Sequence, residues 1–186
     1  GNLRLSRSGT SENPKLDPLD VVKCHYRALL GGLNYIATGT RPGITFTVNQ
    51  LSWYANAPTQ AHWDVAIDCL RYLNHTQNWG IKLGGGGFIA QVDWLHKLPD
   101  NPSSVAYADA NHGTGIDDKK SISGVLIKVL GGPVSWASRV QPVTSTSTTE
   151  SEYRALSETS REALWILKIV EFFGLPSRPF LIRGDN

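Results

Sequence analysis

The sequence predicts an α/β fold, a mixed sheet with one long crossover helix, preceded by a mainly helical region. Three observations predict it. After residue 100 come short β-compatible runs separated by turn signals, then an amphipathic stretch of helical period closed by Gly174 and Pro176, then one more β-like run. Before residue 84 the apolar spacing is helical instead. The expected organisation is an extended arm over 1–19, a helical region over 20–83, a linker over 84–102 and an α/β domain over 103–186.

Residues 1–19 are polar, with two Pro and several Ser, and predict an extended arm. Leu29, Leu33, Ile36 and Ala37 give the first helical spacing and Val48 to Tyr54 a second. A third runs from Ala61 to Leu73, with Trp63, Ile67, Leu70 and Leu73 expected inward. Gly84 to Gly87 lack the Lys-Ser/Thr and the helix start of a phosphate loop, and read as a connection. Ser103 to Tyr107 predicts a strand with Asp109 late on it, followed by a turn-rich stretch at 112–118. Ile122 to Leu130, a stop at Gly131-Gly132-Pro133 and a restart at Val134 to Ser138 read as a hairpin.

The polar tract from Gln141 to Thr149 leads into the long helix, where Tyr153, Leu156, Ala163, Leu164, Leu167 and Val170 fall near one face. Thr149 with Glu152 and Ser147 with Glu150 both have capping-box spacing. Glu150 is the better placed for the cap. Glu152, one position before Tyr153, is expected to point sideways toward the sheet. Pro179 to Arg183 is the last β-like run, and a strand reached from a strand through a helix is expected parallel to it.

Three acids, Asp109, Glu152 and Asp185, thus mark a strand end, a helix start and a second strand end. Carboxylates at such boundaries can converge on a divalent cation. A phosphodiester has a charged centre and a poor leaving group, so a pair of cations about 3.5 to 4 Å apart can orient water and stabilise both reacting oxygens without a nucleophilic side chain. The competing reading of Glu150 and Glu152 is favourable charge at a helix N-terminus, worth about 0.3 to 1 kcal/mol.

Five ordered motifs carry a resemblance: Tyr107-Ala108-Asp109-Ala110-Asn111, Asp117-Asp118-Lys119-Lys120-Ser121-Ile122-Ser123-Gly124, Ser135-Trp136, Ser147-Thr148-Thr149-Glu150-Ser151-Glu152-Tyr153 and Asp185-Asn186. Residues 103–186 resemble the ribonuclease H domain of copia-type retrotransposon polyproteins. Tyr26 to Tyr35, Thr40 to Ile44, and His62-Trp63 through Leu73 look like the end of a copia-type reverse transcriptase, with Gly43 where the family usually carries Asp. The resemblance implies a ribonuclease H-like mixed sheet behind a thumb-like or connection-like region. It implies a magnesium- or manganese-dependent endonuclease cutting the RNA strand of RNA-DNA hybrids, with Asp109, Glu152 and Asp185 as catalytic metal ligands and Asp109 bridging both ions. Family members continue past the Asp-Asn motif and add a fourth acidic ligand. Weak turnover is therefore expected, unless a second chain completes the domain. The polymerase palm and its Asp-Asp turn are not in this sequence, and polymerase activity is not expected. The alternative is a non-catalytic, domesticated remnant that binds nucleic acid or protein; an unrelated recruited activity remains a third reading.

A hydrophobic content of 40% with six Trp supplies a substantial core. A net charge of +2 is too small for a general nucleic-acid field, so binding to a hybrid would need a local basic face. Lys119, Lys120, Arg139 and Arg154 are the leading candidates, with Lys128 and Arg161 nearby; scattered solvated charge is the competing reading. Arg41, Arg71, His75 and Lys82 with Trp53, Trp63 and Trp79 form a second candidate surface, against ordinary amphipathic helices with core Trp. His25, His62 and His112 match no zinc spacing. Two Cys, no signal peptide and no membrane-spanning apolar run point to the cytoplasm, or a particle assembled there, and to no membrane partner. The lack of any Met points to a processed or fragmentary chain.

Overall fold

The computed structural model describes residues 25–83, 104–113, 119–174 and 181–184. The expected arm at 1–19, the whole of the linker at 84–102, and Asp185 lie outside the described residues. The chain divides into two compact units, one holding described residues 25–80 and the other those from 81 onward.

In the first unit, α1 (Tyr26–Gly39) is followed by one 3₁₀ turn (Pro42–Ile44), α2 (Thr45–Ser52) and α3 (Gln60–His75). Their shared core is Tyr26, Leu30, Leu33 and Ala37 from α1, Ile44, Val48 and Leu51, and Ala66 and Cys69 from α3. Leu70, expected inward, is exposed, because the buried side of α3 runs through His62, Ala66 and Cys69. His62 has a structural task there: its Nδ1 accepts from the Thr59 backbone N–H at 2.8 Å, and its ring lies 4.1 Å from that of Tyr54. It closes a capping box in the place usually held by Glu or Gln. Tyr26 donates its hydroxyl to the Leu51 carbonyl at 3.2 Å, and burial pushes its pKa up. The Cys69 thiol is free, and is likewise raised by burial and then by Asp68. At Gly43 a Cβ would meet the Tyr72 hydroxyl at 3.7 Å, an ordinary contact, so close packing does not require glycine there.

In the second unit, β1 (Ser104–Asn111), β2 (Ile122–Val129) and β3 (Gly132–Val140) form an antiparallel meander. The helix α4 (Thr148–Phe172) then crosses over to β4 (Leu181–Arg183), which is parallel to β1. The strand order is β3-β2-β1-β4, a mixed sheet in the ribonuclease H-like manner. The hairpin turns one residue earlier than the glycines suggest. Leu130 and Gly131 carry φ of 50° and 81°, a two-residue primed turn whose twist matches the strands. Pro133 is consequently inside β3, opposite Lys128 at a bulge.

The inward face of α4 also differs from the apolar reading. Ser151, Ala155, Thr159, Ala163 and Ile166 are buried, Leu156 and Val170 pack partly, and Tyr153 and Leu164 are 69% and 59% exposed. The strand beneath presents Ala106, Ala108 and Ala110, so the helix seats small side chains against small ones and a Tyr has no room between them. No helix among the described residues is long and apolar enough to cross a membrane.

Arg41 gives a test of the first unit. Its guanidinium donates to the Thr76 hydroxyl at 3.0 Å and to the Thr76 carbonyl, at the negative end of α3. Arg41→Met is expected to cost about 1 to 2 kcal/mol, the loss of charge-assisted bonds at a helix end. Denaturant unfolding followed by far-UV circular dichroism checks it; an unchanged midpoint would assign the guanidinium no structural role.

Candidate metal centre

Side chains alternate across a strand, and from Ala106 to Asn111 the burial of β1 follows that alternation. Ala106, Ala108 and Ala110 are buried under α4, while Tyr107, Asp109 and Asn111 face the opposite side and are exposed. Asp109 is therefore on the open face, near the Asn111 end of the strand. Its Cα partner on β2 is Gly124, where an added Cβ would stand 3.8 Å from the Asp109 Cβ. That glycine reads as part of a turn motif, yet it lies within a strand and leaves the space beside the carboxylate unfilled.

The start of α4 is brought to the same end of β1. Ala155 packs against Ala108 and Ala110, and Ser151, one turn earlier, is buried. A buried carboxamide holds that turn in place. Gln141 donates from Nε2 to the Ser123 hydroxyl at 3.0 Å and to the Ser151 carbonyl at 2.9 Å, and its Oε1 accepts from the Ser145 hydroxyl at 2.9 Å. Its backbone N–H donates to the Ser121 carbonyl at 2.8 Å. Ser121 in turn accepts from the Gly113 N–H at 3.2 Å, fixing the chain just after β1.

The two glutamates divide their work. Glu150 belongs to the cap: Ser147 Oγ accepts from the Glu150 N–H at 3.1 Å, and Glu150 Oε2 accepts from the Thr146 N–H at 2.7 Å and from its hydroxyl at 2.8 Å. Of the two spacings that suggest a capping box, the chain uses Ser147 with Glu150 for the N-cap bond, while the Glu150 carboxylate reaches past the N-cap to Thr146. The Thr146 N–H, then the Arg154 guanidinium at 2.7 Å and the Thr146 hydroxyl, bring the Glu150 carboxyl down to about 2. Glu152 is half-buried, one residue after buried Ser151. It flanks the inward stripe, although Tyr153 beside it points to solvent and not to the core.

Asp109 and Glu152 are thus anchored at one end of the unit, on opposite sides of β1. A cation shared by both would sit past the strand end. Among the described residues no group of three or more His, Cys, Asp or Glu gathers at metal-holding distance; the third predicted ligand, Asp185, lies outside them. Of the predicted basic residues, Arg139 pairs with Glu158 at 2.8 Å and Arg154 with Glu150 at 2.7 Å. Lys119 is exposed with φ of 50°, and Lys120 is half-buried. In the helical unit Arg41 is engaged at Thr76, Arg71 pairs with Asp68 at 2.7 Å, and Trp63 packs beside Tyr26 with ring centroids 6.5 Å apart. Sequence reasoning passed over Gln141, Ser123 and Gly124; a Gln ending a strand just before a helix cap, opposite a Ser-x-Ser-Gly run, is the signal for them.

Comparison with known proteins yields no matching family model and no matching solved structure. Curated sequences do match. The Retrovirus-related Pol polyprotein from transposon RE2 of Arabidopsis thaliana is 36% identical over 162 residues, 87% of this chain and 10% of that polyprotein. The corresponding polyprotein from transposon TNT 1-94 of Nicotiana tabacum is 30% identical over all 186 residues, 13% of its length. The Secreted RxLR effector protein 161 of Plasmopara viticola is 36% identical over 141 residues, 76% of this chain and 90% of that protein. The chain belongs to the copia-type retrotransposon Pol polyproteins. This Pol segment spans about a tenth of the length of the transposon polyproteins it matches.

The cap of the Pol segment's long helix predicts a pH dependence. The Glu150 carboxyl titrates lower when folded than its ordinary 4.5, so its stabilising effect is complete above about pH 4.5 and fades as pH falls toward 2. Glu150→Gln is expected to lower Tm at neutral pH, by a margin that shrinks below about 4.5. A margin that stays constant as the acid range is entered would mean that the carboxylate charge is not what the cap uses.

Proposed function

We propose that this copia-type Pol segment is a metal-dependent ribonuclease H, hydrolysing the RNA strand of RNA-DNA hybrids, with Asp109, Glu152 and Asp185 as the ligands. The observation that carries the reading is the shared anchoring of Asp109 and Glu152: the alanine seat under Ala155 and the Gln141 bonds bring the helix start to the strand end that bears Asp109. The step from Tyr107 to Asp109 equals that from Arg183 to Asp185, and Tyr107 and Arg183 are Cα partners on parallel strands. This counting supports Asp185 as the third member.

The donor set fits magnesium or manganese, because all three groups are carboxylates, which are hard oxygen donors. When bound, such ions orient water and stabilise the attacking and departing oxygens of a phosphodiester. The chain's own residues do the positioning. Gly124 places no side chain beside the exposed Asp109 carboxylate, and the Ser147–Glu150 cap engages the other acid of the helix start. Lys119 and Lys120, which open the described chain before β2, and Arg139 and Arg154, which pair with Glu158 and Glu150, are the basic residues proposed to meet hybrid phosphates.

Cleavage of a labelled RNA-DNA hybrid in magnesium or manganese tests this. Asp109→Asn and Glu152→Gln are each expected to reduce metal-dependent cleavage by at least about 100-fold, more than changes outside the ligand set usually cost, with Tm changed little. Cleavage that survives both substitutions would remove these acids from the site. Hybrid binding without cleavage in any metal would favour the non-catalytic reading.

A further inference from the structure

We propose that Gln141 is a positioning residue for this centre, setting the separation of Asp109 and Glu152 through one buried carboxamide. The inference rests on the reading of those two acids as metal ligands, and deepens it. Gln141 is 3% exposed, and its side chain is used at both ends. The Ser151 carbonyl can only accept, so the amide nitrogen must face it and the amide oxygen must face the Ser145 hydroxyl; the carboxamide has a single workable orientation.

The two groups reached by that nitrogen sit next to the two acids. Ser123 is the Cα partner of Ala110, the residue after Asp109, and Ser151 is the residue before Glu152. One planar group therefore spans from the strand pair to the first turn of α4. The backbone bond from Gln141 to Ser121 prevents the bridge from retreating as a unit. Elsewhere α4 is tied to β3 by Arg139 to Glu158 and Ser135 to Glu162 at 3.0 Å, about two and three turns further along, where they cannot set the placement of Glu152 as directly. A carboxylate at position 141 would turn a donor into an acceptor facing the Ser151 carbonyl, pushing the helix start away from the strand. An apolar side chain of the same length would leave the Ser151 carbonyl and the Ser145 hydroxyl without this partner.

The test uses the full 186-residue chain and manganese as the probe. Gln141→Glu and Gln141→Met are compared with Ser135→Ala, which removes a sheet-to-helix bond remote from the first turn. Manganese affinity is measured by calorimetric titration, and the manganese dependence of hybrid cleavage is followed alongside, at a temperature where each variant is folded. Both Gln141 variants are expected to weaken manganese binding about 10-fold or more, the usual effect of removing support behind a ligand, and to shift cleavage to higher manganese. Ser135→Ala is expected to lower Tm and leave the affinity as in the wild type. Should the Gln141 variants fail to fold, Ser123→Ala, which deletes one acceptor, is expected to weaken binding to a smaller extent. Wild-type affinity in a folded Gln141 or Ser123 variant would overturn the positioning role and leave the ligand reading intact. A wild-type chain that binds no manganese would overturn the ligand reading, and this proposal with it.

Discussion

The close seating of α4 on the alanine face of β1 is the constraint on which the second unit depends. Ala106, Ala108 and Ala110 leave no side-chain volume above the strand, so the helix can approach only with small residues, and Ser151, Ala155, Thr159 and Ala163 supply them. Close approach brings backbone and short polar groups within reach of each other. Gln141 can bond to a helix carbonyl and a strand hydroxyl at once only because the two elements lie so near. A helix held off by Leu or Phe would bury more apolar area at its start, at roughly 25 cal/mol per Å², but would lose that bridge. Further along, where Ile166 and Val170 face Val125, Ile127 and Val129, ordinary hydrophobic packing takes over.

The first turn of α4 separates two acids that the sequence places only two positions apart. Glu150 is drawn back onto Thr146 and Arg154, which serves the positive helix end and holds its charge down to low pH. Glu152, next to the buried stripe, is half-buried. Charge at the helix N-terminus is accounted for by Glu150 alone, and the ligand role proposed for Glu152 does not compete with it. The open face of β1 completes the arrangement, because Gly124 removes the side chain that would otherwise stand beside Asp109.

The strands, their order and the parallel return were legible because β-branched runs, turn residues and crossover handedness are local or nearly universal signals. The inward face of α4 was not. Apolar periodicity favours Tyr153 and Leu164, whereas the buried stripe is set by the alanines of β1, a tertiary fact that hydropathy does not carry. The hairpin was displaced for a similar reason: Leu130 adopts the left-handed conformation because strand twist demands a primed turn there, against its own preference. Asp109 and Glu152 stand out as candidates through their motifs, while Gln141, a plain polar residue in a polar tract, acquires meaning only when Ser123 and Ser151 are seen on either side of it. Arg41, a candidate for a nucleic-acid surface, serves a helix end, as does His62, which matched no metal spacing.

The most direct measurement is the anomalous diffraction of a crystal of this chain soaked in manganese. The account predicts one peak, or two about 3.5 to 4 Å apart, bound by carboxylate oxygens of Asp109, Glu152 and Asp185 at the Asn111 end of β1. A fully soaked crystal with no peak there, or with manganese held elsewhere while Asp109 and Glu152 stay unliganded, would contradict it.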